Sequence, residues 1–226
     1  TSEFDVLRHL ERLGLPAVTA VGLAAAPERD SAILVTEFLS YSIQYRRLLM
    51  RFPSGPGLYR DRLLDAMAWL LVDLHRTGVY WGDCSLANTL FRRDGDKIQA
   101  FLVDAETSEI HPTLSDGQRG YDLDILVENV GFGLADLGAM QERPDAFEDA
   151  VDAAETVRTR YAQVWDEVTM RPEVSAQDRH AVRARVRRLN DLGFAVDEIS
   201  LEPRAGGEGT VRLTVGPSFK GTFQVQ

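Results

Sequence analysis

Leu74-His-Arg-Thr-Gly-Val-Tyr-Trp-Gly-Asp83-Cys-Ser-Leu-Ala-Asn88-Thr-Leu-Phe91, followed by Phe101-Leu-Val-Asp104-Ala-Glu106, is the stretch on which the reading of this 226-residue chain turns. Upstream of it, Leu63, Leu64, Met67, Leu70, Leu71 and Leu74 recur at helical spacing, predicting a long helix over residues 59–77 that stops at Gly78. Downstream, residues 89–92 and 100–103 are short, apolar and partly β-branched, and they flank the turn Arg93-Asp-Gly-Asp96. The frame is therefore helix, polar loop, hairpin, loop. Asp83 and Asn88 lie five positions apart across the first loop, and Asp104 and Glu106 return at the end of the second strand.

A carboxylate and an amide so spaced can converge on one site, with a second carboxylate beside them. Phosphoryl transfer needs such a set: one carboxylate to orient a hydroxyl and accept its proton, and hard oxygen donors to hold magnesium against a triphosphate. The spacing D-x-x-x-x-N followed by an apolar strand ending in Asp is that of a kinase catalytic loop and its metal-binding strand end.

On these residues the chain resembles the protein-kinase-like phosphotransferases, especially the atypical lipopolysaccharide-kinase-like branch found in bacteria. The runs Trp81-Gly-Asp-Cys-Ser-Leu-Ala-Asn88, Leu102-Val-Asp-Ala-Glu-Thr107 and Leu114-Ser-Asp-Gly-Gln-Arg119 also resemble a bacterial family of unknown function, in which a kinase-like domain precedes a smaller uncharacterised one. The resemblance implies ATP and Mg2+ as cofactors, Asp83 as catalytic base, and Asn88 and Asp104 as metal ligands assisted by Glu106. It also implies a role for Glu3 as the helical glutamate that would pair with a strand lysine. Thr36, Glu37, Phe38 and Leu39 fall where the hinge would contact adenine, and Asp122 resembles the buried acid that braces the catalytic loop from below.

Two departures accompany the likeness. Trp81-Gly82 stands in place of His-Arg, and Asp104-Ala-Glu106 in place of Asp-Phe-Gly, so control by a phosphorylated activation loop is not implied. Lys97 and Lys220 are the only lysines, and no Gly-rich loop precedes the first helix. The expectation is an N-terminally incomplete or degenerate kinase relative.

Elsewhere, residues 3–13 are expected to form a helix, 18–25 and 32–38 a strand pair around Pro27-Glu-Arg-Asp30, and 123–140 a helix in pieces. Helices over 147–168 and 177–192, the second opening with a capping-box-like Ser175-Ala-Gln-Asp178, precede a hairpin of 194–201 and 210–215. The predicted fold is α+β: a two-lobed kinase-like domain over 1–140, with a partial N-lobe in 1–40 and a C-lobe in 41–140, then a small α+β domain over 141–226.

The net charge of −10 and pI near 4.9 repel phosphodiester backbones and disfavour a nucleic-acid partner. The longest apolar runs are too short to span a bilayer, the N-terminus has no signal-peptide pattern, and the single Cys84 forms no internal disulfide, which points to the cytoplasm. His75 reads as a packed or capping residue and Cys84 as a buried, unreactive thiol. Arg179, Arg183, Arg187 and Arg188 read as a solvated helix face paired with nearby acids.

The leading functional expectation is an ATP/Mg-dependent phosphotransferase acting on an unidentified hydroxyl acceptor. The alternative is a pseudokinase or nucleotide-sensing scaffold that binds a protein partner through the C-terminal domain.

Overall fold

A computed structural model of the chain describes residues 2–26, 31–51, 55–94, 97–169, 174–175, 178–192, 194–203 and 209–218. It forms two compact units, residues 1–161 and 162–226.

The first unit opens with α1 (Glu3–Arg12). Ser2 caps it, its hydroxyl accepting from Asp5 N while the Asp5 carboxylate reaches back to Ser2 N, and Glu3 and Asp5 complement the positive end of the helix dipole. Val6, Leu7 and Leu10 form its fully buried stripe. The antiparallel strands β1 (Ala20–Ala26) and β2 (Ser31–Thr36) follow, with Leu23 opposite Leu34 and a register shift between Ala20 and Gly22. The expected turn at 27–30 lies outside the described residues.

Two short elements that the sequence does not announce come next: β3 (Ser42–Ile43) and α2 (Tyr45–Arg51). The long α3 (Leu58–Arg76) then runs almost wholly inside, with Leu63, Leu64, Met67, Leu70, Leu71 and Leu74 at most 1% exposed. At roughly 1.5–3 kcal/mol for each large apolar side chain removed from water, this helix is the main hydrophobic mass of the unit. Its C-terminus leads through β4 (Val79–Tyr80) and the polar loop of residues 81–88 to the hairpin of β5 (Thr89–Asp94) and β6 (Lys97–Leu102). These strands are longer than predicted, and β3 extends the sheet through Ser42 opposite Arg92 and Ile43 opposite Phe91. The connection from α1 is stitched to the sheet's end: Leu102 N donates to Pro16 O, and Leu102 O accepts from Val18 N, both at 3.0 Å.

After β7 (Glu109–Ile110), which pairs antiparallel with β4, a single helix α4 (Asp116–Met140) replaces the expected pieces. Five glycines make the stretch read as irregular, but Ser115 and Gln118 close a capping box at its start. Small residues then let α4 approach α5 (Ala146–Thr169) closely, Gly131 over Ala154 and Gly138 against Ala146. The division expected after residue 140 falls in the turn between these two helices, whereas the two compact units part between residues 161 and 162, within α5. Ion pairs bind α5 to the rest of the unit: Arg60 of α3 and Arg143 both meet Asp149, Arg160 meets Asp65, and Arg158 meets Asp124.

The second unit contains the end of α5, β8 (Val174–Ser175), α6 (Arg179–Asp191) and the long hairpin of β9 (Phe194–Pro203) and β10 (Gly209–Ser218), in the sheet order β8-β10-β9. Here the sequence-based cap needs correction. Ser175 belongs to β8, and it is Asp178 that caps α6 by accepting from Ala181 N. The arginines of α6 divide in role: buried Arg185 and exposed Arg188 both engage Glu167, whereas Arg179, Arg183 and Arg187 face solvent. No helix among the described residues is long and apolar enough to cross a membrane.

Candidate active site

The site is assembled at the end of α3, where the chain must turn sharply. Gly78 has φ +82, and a Cβ there would lie 2.1 Å from the carbonyl oxygen of His111. Only glycine accepts both conditions, and the close approach lets His111 N donate to Gly78 O at 2.8 Å, starting the β4–β7 pairing. That pairing sets two loops side by side, residues 81–88 and 103–108. Trp81 O accepts from Thr107 Oγ1 at 2.9 Å and from Ser108 Oγ at 3.1 Å, fastening one loop to the other. Gly82, at φ +84 and tight against Thr107, completes the turn.

From there the chain presents Asp83 to solvent. Asn88 Nδ2 donates to Asp83 Oδ2 at 2.9 Å across the five-residue spacing that the sequence shows. The loop between is internally braced: Asn88 N donates to Ser85 Oγ at 3.2 Å, and Thr89 Oγ1 to Ser85 O at 2.8 Å. Val103 N donates to Asn88 O at 3.1 Å, which brings the residue before Asp104 against Asn88. Asp104 Oδ1 accepts from Glu106 N, and Glu3 Oε1 at the start of α1 accepts from Ala105 N. Burial raises the Glu3 pKa; the Ala105 amide works against this, and the charges of Asp104 and Glu106 add to the rise. Glu3, Asp104 and Glu106 therefore share one local field.

Beneath the loop lies Asp122 of α4, wholly buried. Its Oδ2 accepts from Trp81 N at 2.7 Å and its Oδ1 from Gly82 N at 2.8 Å. His75 Nε2 lies 3.0 Å from Oδ2, and the Cys84 thiol bonds to the same carboxylate. Cys84 is buried, and that burial together with the nearby Asp122 pushes its thiol well above the usual range, so it is inert at neutral pH. His75 is itself buried, and its Nδ1 meets the Tyr161 hydroxyl at 2.7 Å.

Of the nine residues assigned from sequence to catalysis, nucleotide or metal, Asp83, Asn88, Asp104, Glu106 and Glu3 lie along one continuous set of contacts between the two loops and α1. Thr36, Glu37, Phe38 and Leu39 run from the end of β2, fixed by Glu37 N donating to Thr19 O and Leu39 O accepting from Ser42 Oγ. Phe38 is 89% exposed. Among the described residues none of these four makes a hydrogen bond or ion pair with Asp83, Asn88, Asp104 or Glu106. His75, Cys84 and Tyr161 complete the support of the loop, and no spacing rule reveals the last of these.

The donors suit a hard cation. With Asn88 Nδ2 committed to Asp83, the amide Oδ1 remains an acceptor, and Asp104 Oδ2 is left by the Glu106 amide, so the ligands offered are oxygens. Among the described residues no cluster of three or more His, Cys, Asp or Glu forms a complete metal cage. An all-protein cage is not what magnesium requires beside a nucleotide, since phosphate and water supply the remaining ligands.

A helix-loop-hairpin frame that sets a carboxylate, an amide and a strand-end carboxylate together, braced from below by a buried acid, is that of a kinase-like phosphotransferase in an α+β fold. Residues 1–143 match the model of the lipopolysaccharide kinase (Kdo/WaaP) family, and the chain belongs to that family. Residues 163–222 match a domain of unknown function, DUF4032. The lipopolysaccharide core heptose(I) kinase WaaP of Pseudomonas aeruginosa is 26% identical over 146 residues, covering 60% of this chain and 53% of that protein. The chain thus spans about half the length of that curated relative. A solved structure described as WaaP in complex with acyl carrier protein aligns with a TM-score of 0.48 at 20% identity, over 84% of this chain and 75% of that one.

Proposed function

We propose that the first unit transfers a phosphoryl group from ATP, with magnesium, to a hydroxyl of a sugar carried on a glycolipid. The carrying observation is the Asp83–Asn88 hydrogen bond in a loop joined through Val103 to Asp104. The sugar class rests on the heptose kinase activity for which the Pseudomonas relative is named.

Bound magnesium would neutralise charge on the phosphates, and Asn88, Asp104 and Glu106 are the residues that would hold it. Asp83 Oδ2 is held by the Asn88 amide, which leaves Oδ1 to orient the acceptor hydroxyl and take its proton. Asn88 thereby restrains the base, and its own Oδ1 would serve as a metal ligand. Asp122 holds the backbone on which Asp83 is mounted, so the base does not have to be ordered at each turnover. Glu3 ties α1 to the backbone beside Asp104. Thr36 to Leu39 carry the adenine side of the reading through their backbone groups and the exposed Phe38.

The test is transfer of radiolabelled γ-phosphate from ATP to lipopolysaccharide and to its isolated core oligosaccharide, comparing the chain with Asp83→Asn. Label appearing in the core and falling by about 10²–10⁴-fold in the variant supports the reading. Equal labelling by both proteins sinks the assignment of the base. Tight nucleotide binding without transfer to either acceptor favours a nucleotide-sensing scaffold.

A further inference from the structure

The network under the catalytic loop does not end at Asp122. His75 Nε2 sits 3.0 Å from Asp122 Oδ2, His75 Nδ1 sits 2.7 Å from the Tyr161 hydroxyl, and Arg119 bonds both the Tyr161 hydroxyl and, at 2.5 Å, Asp116 Oδ1. His75, Asp122 and Tyr161 are each at most 4% exposed. Three helices contribute: α3 gives His75, α4 gives Arg119 and Asp122, and α5 gives Tyr161.

Elementary chemistry fixes the direction of every hydrogen in this run. Both oxygens of Asp122 already accept backbone N–H groups, so the carboxyl group acts as an acceptor here and the His75 nitrogen facing Oδ2 carries the hydrogen. Burial lowers the His75 pKa, more strongly than Asp122 raises it, so the ring is neutral near pH 7 and Nδ1 is a bare acceptor. The Tyr161 hydroxyl must then donate to Nδ1, and the guanidinium of Arg119, which can only donate, meets the phenol oxygen. The donors point one way, from Arg119 through Tyr161 and His75 to Asp122.

A neutral imidazole has two tautomers, and only one suits this place. With the hydrogen on Nδ1, a lone pair on Nε2 would face the carboxylate and the contact would become repulsive. A phenol that donates to Nδ1 excludes that tautomer. A ring that merely filled space at position 161 would not need the hydroxyl. Tyr161 also lies beyond residue 143, where the match to the lipopolysaccharide kinase family ends, and before residue 163, where the second match begins.

We infer that Tyr161 is a positioning residue for the catalytic loop: by donating to His75 Nδ1 it locks the tautomer that grips Asp122, and Asp122 in turn holds Trp81 and Gly82 just ahead of Asp83. The inference rests on reading residues 81–88 as the catalytic loop, but its test does not require turnover.

In the full chain, 15N spectra of the histidine side chains would show His75 with Nε2 protonated and Nδ1 bare. In Tyr161→Phe the two tautomers would mix, and amide exchange at Trp81 and Gly82 would quicken by about tenfold or more while β5 and β6 amides kept their protection. Magnesium-dependent ATP hydrolysis, where present, would lose kcat with an unchanged KM for nucleotide. A wild-type His75 protonated on Nδ1 overturns the inference, as does a folded Tyr161→Phe chain with Trp81 and Gly82 exchanging at the wild-type rate. Should Tyr161→Phe fail to fold, the wild-type tautomer decides alone. Loop ordering without nucleotide binding would leave the positioning role standing and remove the kinase reading; the converse separates them equally well.

Discussion

Asp122 collects four donors: two backbone N–H groups, an imidazole N–H and a thiol. Asp122→Ala strands them, and the loss expected for breaking a buried charged network is about 3–5 kcal/mol, measurable by urea unfolding. The same network gives the chain a pH response. His75 has a pKa lowered from 6.5 by burial, so below that value the unfolded chain binds a proton that the folded one resists. The His75 contribution is fully present above pH 6.5 and diminishes as pH falls toward the folded pKa. The thermal midpoint should drop between pH 7 and pH 5.5, and His75→Gln should flatten that slope; an unchanged slope would mean that other groups carry it. That Asp83 and Asn88 meet, with the residue before Asp104 against them, was legible in the sequence because all three lie in one short stretch with fixed spacing. Tyr161 was not, since it meets His75 across 86 positions and no local pattern encodes such a meeting.

The elements follow the same division between local and distant causes. α1, the long apolar α3 and the β5–β6 hairpin are written in periodicity and turn chemistry. α2, β3 and the β4–β7 pair are too short to have a period, and β4–β7 exists because Gly78 lets two chain segments touch. Gly78→Ala must displace the His111 carbonyl and also hold a non-glycine residue at φ +82, so a cost of about 2–4 kcal/mol is expected in thermal or chemical unfolding. The seating of α5 depends on Asp149, which lies between Arg60 and Arg143. Burial pushes its carboxyl up, but the two guanidiniums prevail and hold it below the usual range. Asp149→Ala leaves Arg60, whose side chain is 8% exposed, without its carboxylate partner. A loss of about 3 kcal/mol is expected by urea unfolding, and a loss under ~0.5 would show that α5 is held by apolar contact alone.

Across the whole molecule, charge is distributed unevenly. Residues 162–226 balance nine acidic against nine basic side chains, so the net −10 resides in residues 1–161. An acidic body suits a divalent cation more than a free polyanion, and it supports the sequence-based case against a nucleic-acid partner. Electrophoretic retardation of duplex DNA at about 150 mM salt is expected to be absent; a clear shift with steep salt dependence would point instead to Arg179, Arg183 and Arg187 of α6. The α+β class and kinase-like character of the chain were legible because the decisive motif also dictates its helix-loop-hairpin frame. The measurement that tests the central claim most directly is calorimetric titration of ATP with and without magnesium, comparing the chain with Asp104→Ala. The account predicts binding that requires magnesium and is lost in Asp104→Ala. Binding that is indifferent to magnesium, or equal in the two proteins, would contradict it.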